Sequence, residues 1–585
     1  MIREKIFQAI ASAIRVLPQA ALSSDFTVPS YSVEVSERAD HGDYSTNAAL
    51  LPAKSIGQKP MDIANSLAER IKSEHSEWLA DVRVAPPGFI NFFIKNEFLV
   101  QSLDSVLNEG GRWGTSGDGA GKTVMVEYFQ LNIAKRPHIG HLRSAVIGDT
   151  LKRIFQASGY HAVSDTHVGD WGTQFGILLQ AYKENRENRE DIERMGDPFD
   201  AFEKLYIEEN ARIEADPELR ERAKQEFAKL EAGDPENRKI WQWMVDVSMK
   251  KLGESSSRLG LLPFDEHKGE SAYEDAMPDI VELALQKGVA TKISDGAIIV
   301  DLGAEGLDQA VLIKSDGAST YLLRDLATIR YRKGHWKFRK NLYVVDTRQS
   351  HHFKQVFRVA ELLGFEGVGE SEHVEFGFMS LPEGALSTRK GTAISLDAVL
   401  DEAHDRARKV IEEKNPDLAN ADAVADAVGI GALKYFDLAH HRKSDIVFRW
   451  DEALSFDGNT GPYLQYTHAR LKSILRKVGG EKIENIENIK NIEKIKMDEV
   501  EHRLLMAILR FPEAVSDVLL DYAPNVLANY LYNLAKLANE FYHLHSVSQE
   551  TDRSKRDFRI ALVSGVALTI ARGLKLLGIQ APEEM

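Results

Sequence analysis

The sequence predicts an α/β protein in which a central parallel-sheet domain follows a smaller α/β unit and precedes a bundle of helices. Three observations predict this order. Two apolar strand patterns flank one helix pattern over Thr123–His167, which is the spacing of a right-handed βαβ unit. Shorter strand and helix patterns alternate before residue 115. Nearly everything after Leu396 has helical period.

Composition limits the classes of protein that fit. The length of 585 residues indicates several domains, and 43% hydrophobic with 28% charged residues is typical of a globular protein. The chain has no cysteine, which excludes disulfides and thiolate zinc sites. The sequence lacks a signal-peptide pattern and an apolar run long enough to span a membrane, so we expect a cytoplasmic protein without a membrane partner. The net charge of −16 speaks against a nucleic-acid partner, although a local basic face is compatible with an acidic remainder.

The first unit begins with a helical pattern and then alternates strand and helix. The patterns predict strands at Tyr31–Ser36 and Phe89–Ile94 and a helix over Met61–Lys72. Between the first strand and that helix stands HGDYSTN, with Asp43 and Tyr44 ahead of a predicted helix that Ser45 or Thr46 could cap. From these residues alone, HGDY is interpreted as a turn before a helix cap.

The central domain begins after the Gly-rich linker Ser116–Lys122, whose glycine spacing is not that of a phosphate loop. Strands are predicted at Thr123–Tyr128 and Tyr160–His167, joined by a helix that starts near HIGH, His138–His141. The first N–H groups of a helix lack partners and carry partial positive charge, so a lysine and two histidines beside them favour a polyphosphate ligand. GDWGTQFG follows the second strand, and the carboxyl ends of parallel strands share one edge. We therefore expect one pocket lined by both turns.

A charged, mostly helical stretch from 177 to about 290 is interpreted as an insertion between two halves of the sheet. The second half is expected to resume with three strand-like segments and a fourth apolar strand: Ala297–Leu302, Ala310–Lys314, Ser319–Arg332 and Asn341–Asp346. Arg348, Gln349 and His352 then stand at a helix start. Arg389 and Lys390 form a compact basic loop, either a hairpin with solvated charges or a mobile loop that closes over phosphates.

The remaining chain has helical period, with one biased segment. Glu481–Met497 has Ile at every third residue and is either an exposed helix or a flexible insertion; we assign it no function. Aromatic residues on the last amphipathic helices are either core or, where exposed, suited to stack on unpaired bases.

Taken together, these motifs resemble one family. His138–His141 matches the HIGH motif of class I aminoacyl-tRNA synthetases, and four further segments resemble the arginyl-tRNA synthetases, in the order of that family. The segments are GDWGTQFG, YLLRDLA (Tyr321–Ala327), LSTRKGT (Leu386–Thr392) and GPYLQYTHAR (Gly461–Arg470). The resemblance covers essentially the whole chain. The alternatives are another class I synthetase or a nucleotidyltransferase, and a catalytically silent tRNA-binding paralogue.

The resemblance implies a fold and its division into domains. It implies a Rossmann-type catalytic domain with a helical insertion, an N-terminal α/β additional domain and a C-terminal all-α anticodon-binding bundle. The expected ranges are 1–117 for the additional domain, which would meet the tRNA elbow, 118–395 for the catalytic domain with its insertion at about 177–290, 396–452 for a helical stem, and 453–585 for the bundle.

The resemblance also implies a reaction and its residues. L-Arginine would react with ATP, accompanied by Mg²⁺, to form arginyl-adenylate and pyrophosphate, and would then pass to tRNA(Arg). The implied catalytic residues are Lys135, His138, His141 and Lys390; ATP would also meet Gly140 and Arg389. Arginine would bind to Tyr321 and Asp325 at its guanidinium end, and to Glu127, Asn132 and Gln349 at its other end. The implied tRNA contacts are Arg470, Lys472, Arg476, Tyr542 and Met585. The resemblance further implies a monomer. We expect no zinc, no other metal site and no DNA partner.

Overall fold

Strands of this protein form four sheets in a computed structural model that describes residues 1–17, 30–36, 38–53, 57–185, 189–380, 382, 395–479 and 495–585. The strands are β1 (Val33–Val35), β2 (Tyr44–Thr46), β3 (Leu79–Ala85), β4 (Phe89–Ile94), β5 (Thr123–Glu127), β6 (His161–Asp165), β7 (Thr291–Lys292), β8 (Ile298–Asp301), β9 (Gln309–Ile313), β10 (Lys340–Tyr343), β11 (Ser371–His373), β12 (Met379–Ser380) and β13 (Ile446–Val447).

Helices make up most of the remaining described chain. The α-helices are Ile2–Arg15, Pro60–Glu74, Asn96–Glu109, Ile139–Ala157, Thr173–Glu184, Arg189–Arg194, Phe199–Ala215, Pro217–Glu231, Pro235–Arg258, Met277–Gln286, Tyr321–Trp336, Ser350–Leu362, Leu396–Lys414, Ala421–Leu438, Trp450–Ala453, Gly461–Val478, Glu499–Leu509, Phe511–Asp521, Asn525–Leu544 and Arg553–Leu576. Short 3-10 helices lie at Ala39–His41, Gly110–Arg112, Glu270–Ala276, Gly303–Glu305, Thr347–Gln349 and Val368–Glu370. Within the described ranges, none of the helices is both long enough and apolar enough to cross a bilayer.

The first unit is an antiparallel sheet in the order β1-β2-β4-β3 with helices packed against it. The predicted helix at Ser45 or Thr46 is wrong, because both residues lie in β2 and pair with β4. Tyr44 and Thr46 are buried while Ser45 is half-buried, which is the alternation of a strand with one face on a core. Tyr44 lies in β2 and Asp43 directly before it, and each contacts a residue outside the first unit, Glu513 and His502 respectively.

The central sheet is parallel, in the order β11-β10-β5-β6. The predicted βαβ unit is confirmed: the helix Ile139–Ala157, called the motif helix below, connects β5 to β6. Most of its residues are buried, because the sheet covers one side and later helices cover the other. Its N-terminus lies at the carboxyl edge of the sheet, so the residues around HIGH lie where parallel sheets bind ligands.

The part of the chain between β6 and β10 differs from the prediction in two ways. The segments around Ala297 and Ala310 are strands, but they form a separate antiparallel sheet, β7-β8-β9, and the parallel sheet resumes only at β10. The predicted strand at Ser319–Arg332 is wrong, since the helix Tyr321–Trp336, called the pocket helix below, occupies it. Leucines at the start of this helix are buried with helical spacing, and a short apolar run does not distinguish that pattern from a strand.

Helices predominate after residue 395, as predicted, and they hold the central sheet to the bundle. The helix Ala421–Leu438, called the stem helix below, carries Asp437, which forms a fully buried ion pair with Arg143 of the motif helix (Nε–Oδ1, 3.1 Å). The first unit docks on the bundle through Tyr44, whose hydroxyl donates to the buried carboxylate of Glu513 at 3.0 Å. Residues 481–494 of the Ile-rich segment lie outside the described residues.

Candidate active site

A cavity of about 410 Å³ opens at the carboxyl ends of β5, β6 and β10. Seven of the residues predicted for the site lie in its lining: Glu127, Asn132, Gly140, His141, Tyr321, Asp325 and Gln349. The lining also includes residues that were not predicted as site residues, among them His167, Glu270, Arg324 and His352. The cavity therefore joins the turn before the motif helix to the first turn of the pocket helix, across the insertion.

His138 and His141 together form the N-terminal cap of the motif helix. The Nδ1 atom of His138 accepts the N–H of Gly140 at 3.0 Å, and the Nδ1 atom of His141 accepts the N–H of His138 at 3.1 Å. Because each Nδ1 is an acceptor, the proton of each neutral imidazole is on Nε2. Both rings thus present an N–H donor beside the positive end of a helix dipole.

Both imidazoles stay neutral at physiological pH. Burial, helped by the positive charge of Arg348, lowers the pKa of His138 to about 4. Burial, with His138 and Lys135 nearby, lowers the pKa of His141 to about 3. A neutral donor to a phosphate needs no protonation equilibrium, so the capping pair is a fixed hydrogen-bonding element.

Gly140 is required by the histidine beside it. A Cβ atom at this position would lie 2.7 Å from Cε1 of His138 and 2.9 Å from its Nδ1. A larger residue would therefore push the imidazole out of its capping position.

The residues before HIGH are held by the insertion. The Nζ atom of Lys135 lies 4.7 Å from the ring centroid of Tyr206, and Arg136 pairs with Glu203 (Nε–Oε2, 3.2 Å) and with Asp200. All three partners are on the insertion helix Phe199–Ala215. Lys135 and His138 are close to the cavity in sequence but are not among its lining residues.

A buried ion triad forms the floor of the site. In the register of β5 with β6, Glu127 lies opposite Asp165, so two carboxylates are neighbours at the sheet edge. Arg332, buried on the pocket helix, bridges them, with 2.6 Å to Glu127 and 2.8 Å to Asp165. Two carboxylates and one guanidinium leave one net negative charge, which favours a cation in the cavity above.

The backbone of the turn is held in an uncommon conformation around Asn132. Phe129, Ala134 and His167 have positive φ values of 59°, 57° and 41°. Asn132 forms a backbone bridge with Gly169, and a Cβ atom at Gly169 would lie 2.3 Å from Oδ1 of Asn132. Such strained residues cluster at ligand sites, because the surrounding contacts must hold them there.

Acidic side chains also line the other end of the cavity. Asp325 lies on the pocket helix with its Oδ2 2.5 Å from Nε2 of His352 and its Oδ1 3.9 Å from Nε2 of His167. Glu270 is paired with Arg324 at 2.9 Å, and burial raises the pKa of Glu270 to about 7. Tyr321 is 62% exposed at the mouth. Asp325 is thus the carboxylate at this end that has no arginine partner among the described residues.

Two predicted groups of residues lie elsewhere. Arg389 and Lys390 fall outside the described residues. The predicted tRNA contacts lie on the bundle and have partners within the chain: Lys472 pairs with Glu583 and Arg476 with Glu584, both at 3.2 Å. Arg470 stacks over the ring of Tyr542 at 4.3 Å, and Met585 packs on a small cluster beside the stem helix.

A possible metal-binding group is in contact with a cation of the protein. Asp498, Glu501 and His545 have ligand atoms close to one another. Arg559 donates to Glu501 at 2.8 Å and to Nδ1 of His545 at 3.1 Å. Arg559 therefore supplies positive charge to this group.

Some of the unpredicted residues had a signal in the sequence. Asp165 and His167 stand at the end of a predicted strand, and the rule that ligands bind at the carboxyl ends of strands would have selected them. No signal of this kind marks Glu270, Arg324 or Arg332, because each is placed at the site by an ion pair with a residue far along the chain.

Comparisons with known proteins show which family the chain resembles. The chain matches three family models: "tRNA synthetases class I (R), catalytic domain" over 102–450, "Arginyl tRNA synthetase N terminal domain" over 1–94, and "DALR anticodon binding domain" over 464–585. It is 40% identical over 556 residues to an arginine–tRNA ligase of Lactococcus lactis subsp. cremoris, which covers 94% of this chain and 95% of the relative. An arginine–tRNA ligase of Streptococcus agalactiae is 38% identical and covers 98% of this chain and 99% of its own length.

Solved structures have the same fold. The arginyl-tRNA synthetase of Thermus thermophilus superposes with a TM-score of 0.82 at 27% identity, over 100% of both chains. The arginyl-tRNA synthetase of Plasmodium falciparum gives a TM-score of 0.82 at 24% identity, over 100% of this chain and 99% of its own. At 24% identity, the similarity to the Plasmodium falciparum structure shows a shared fold alone.

Proposed function

The chain belongs to the arginyl-tRNA synthetase family, and on that premise we propose how the cavity joins arginine to tRNA(Arg). The protein is an arginine–tRNA ligase: it activates L-arginine with ATP to arginyl-adenylate and pyrophosphate, and it transfers arginine to the 3′-terminal adenosine of the tRNA. One observation carries the assignment of residues. A single cavity is lined by His141 of the motif helix and has acidic groups at both of its ends.

ATP binds at the motif helix in this proposal. Its phosphates take hydrogen bonds from the Nε2–H groups of His138 and His141, and the helix dipole adds attraction. Gly140 has no side chain, so it leaves room both for the ring of His138 and for the nucleotide to approach the helix. Lys135 and the loop residues Arg389 and Lys390 supply cations for the β- and γ-phosphates, and Mg²⁺ arrives with ATP as part of the substrate.

Arginine binds across the cavity, with one cationic group at each acidic end. The α-ammonium group meets the net negative charge of Glu127 and Asp165 around Arg332, together with Asn132. The guanidinium group meets Asp325, with Tyr321 at the mouth and Gln349 nearby. Lysine lacks the planar fork of donors that a carboxylate pairs with in bidentate fashion, so Asp325 favours arginine.

The chemical step is positioning and charge stabilisation. The arginine carboxylate attacks the α-phosphate, the bond to the β-phosphate breaks, and pyrophosphate leaves with its added charge. Donors on rigid elements stabilise the charge that develops on the phosphoryl oxygens, as oxyanion-hole groups do. The capping pair meets this requirement, because the helix backbone fixes both imidazoles before substrate arrives.

We also propose that the bundle binds the anticodon arm through Arg470, Lys472, Arg476, Tyr542 and Met585, and that the first unit meets the tRNA elbow. The proposed domains span residues 1–117, 118–395 with an insertion at about 177–290, 396–452 and 453–585.

The ligase acts as a cytoplasmic monomer in this proposal. Light scattering with and without tRNA(Arg) tests the monomer.

Exchange between ATP and pyrophosphate, run with total tRNA and each amino acid in turn, tests the proposal. Arginine alone is expected to stimulate exchange, and another amino acid that does so would overturn the assignment. Asp325→Asn keeps the shape but removes the charge, so the KM for arginine is expected to rise about 30-fold or more. Asp308→Asn, an exposed aspartate outside the cavity, is the matched control.

A further inference from the structure

His352 contacts Asp325, the carboxylate that is proposed to bind the guanidinium group of arginine. His352 lies in the first turn of the helix Ser350–Leu362, and its Nε2 is 2.5 Å from Oδ2 of Asp325. Both residues line the cavity. No ion pair between Asp325 and an arginine or lysine occurs among the described residues, so its partners are His352 and the more distant His167.

The contact constrains the carboxylate in two ways. The donor is the Nε2–H of His352, because an ionised carboxylate only accepts. This bond fixes the rotation of the Asp325 side chain and takes up one lone pair of Oδ2. The other oxygen, Oδ1, and the remaining lone pairs stay available for the fork of N–H groups on a guanidinium.

We propose that His352 is a positioning residue for Asp325, and that proton binding to its imidazole competes with arginine binding. This inference rests on the function proposed above. While the imidazole is neutral, Asp325 keeps its full charge for the guanidinium. Once the imidazole is protonated, the pair is neutral overall, and a second cation at Asp325 meets repulsion.

The direction of the pH effect follows from the surroundings of the ring. Burial by itself lowers the pKa of His352, but the hydrogen bond and negative charge of Asp325 outweigh burial and raise it above its ordinary value. Arginine then has to displace a proton below that pKa. The KM for arginine is therefore expected to rise as the pH falls, with a limiting slope of about tenfold per pH unit for one proton.

Other charged groups face this cluster from every neighbouring element. His167, after β6, faces Oδ1 of Asp325, and its pKa is raised because Glu127, Asp325 and Asp165 outweigh burial and Arg332. On the pocket helix, Arg324 is taken up by Glu270. Asp346 after β10 is paired with Arg348, and His373 of β11 stacks on Phe353, with its pKa lowered by burial. His167 is therefore the second titratable group that the experiment must separate from His352.

The experiment measures kcat and KM for arginine from about pH 6 to about pH 8.5 by tRNA-supported exchange. His352→Gln retains an N–H donor at the position of Nε2 and cannot be protonated, so its KM is expected to be independent of pH and close to the high-pH value of the unchanged protein. His352→Leu removes the donor and is expected to raise KM about tenfold at every pH, with kcat unchanged. His351→Gln, the exposed neighbouring histidine near Asp308, is the matched control and should keep the full pH dependence.

Each result decides the inference. A pH-dependent KM that persists in His352→Gln and disappears in His167→Gln would assign the proton to His167 and overturn the proposal. A KM that is unchanged in His352→Leu at high pH would overturn the positioning role. Asp325→Asn distinguishes failure of the proposed arginine site from failure of the role of His352. If Asp325→Asn leaves KM unchanged, the arginine site itself fails. If it raises KM while His352→Gln behaves like the unchanged protein, only the role of His352 fails.

Discussion

Replacement of His141 by alanine should slow activation of arginine strongly while the protein stays folded. His141 lies at the third position of the motif helix, where its Nδ1 accepts the backbone N–H of His138 at 3.1 Å. That contact orients the ring so that the Nε2–H group points away from the helix. His141→Ala removes this donor and one partner of the helix cap together.

The two losses have different sizes. The cap contact is a single, partly buried hydrogen bond between neutral groups, so its loss should lower the free energy of unfolding by about 0.5–1.5 kcal/mol. The Nε2–H group of His141, as the proposed donor to the reacting phosphate, would act like an oxyanion-hole group, whose removal costs about 100- to 1000-fold in kcat. The effect on rate should therefore far exceed the effect on stability.

The assay is tRNA-supported exchange together with filter binding of tRNA(Arg). We expect kcat to fall by about two to three orders of magnitude with little change in tRNA affinity. His141→Gln, which keeps an N–H donor at the same reach, should recover part of the rate, and His161→Ala, at the opposite edge of the sheet, is the control. A kcat for His141→Ala within about threefold of the unchanged protein would refute the reasoning.

The same geometry predicts the pH response of this step. The pKa values of His138 and His141, lowered to about 4 and about 3 by burial, keep both rings neutral above about pH 5. Protonation would need a lower pH, so the contribution of the pair to kcat should be constant from about pH 6 to about pH 8. A kcat that changes across this range in the unchanged protein but not in His141→Gln would contradict the neutral pair.

Two further predictions concern the contacts that hold the units together. Arg143→Met should lower the free energy of unfolding by about 3–5 kcal/mol, because it leaves the buried carboxylate of Asp437 without its partner; a loss below about 1 kcal/mol in urea unfolding would show that this pair contributes little. Tyr44→Phe should cost about 1–3 kcal/mol through the lost hydrogen bond to buried Glu513, with kcat unchanged. A fall in kcat without a loss of stability would indicate a different role for Tyr44.

Periodicity and strand-end rules predicted the part of the site that is local in sequence. The strand, turn and helix around Val126–Asp149 have clear apolar patterns, and the carboxyl-edge rule placed both turns at one pocket. Asp325 and Tyr321 can be assigned only through the resemblance, since the sequence pattern of their segment predicts a strand. As a helix, it instead brings residues four apart to one face, so both reach the cavity.

Contacts between distant residues account for the errors. HGDY suggested a turn and a cap because those are the local roles of its residues. Its partners are far along the chain: Tyr44 bonds Glu513, 469 positions away, and Asp43 bonds His502, 459 positions away. Local propensity cannot indicate such pairs, and in this chain tertiary contacts made a strand of what propensity suggested as a helix start.

The floor of the cavity shows how register creates a requirement that the sequence does not reveal. Once β5 and β6 pair in parallel, Glu127 and Asp165 are neighbours at the sheet edge, and two adjacent carboxylates need a counterion. The side chain of Arg332 is fully buried and pairs with both carboxylates, so the sheet edge is stable before any substrate arrives. It neutralises only one of the two charges, however. In the proposed site, the remaining negative charge is the group that would attract the α-ammonium of the substrate, so Arg332 both stabilises the sheet edge and sets how much charge is left for the free arginine.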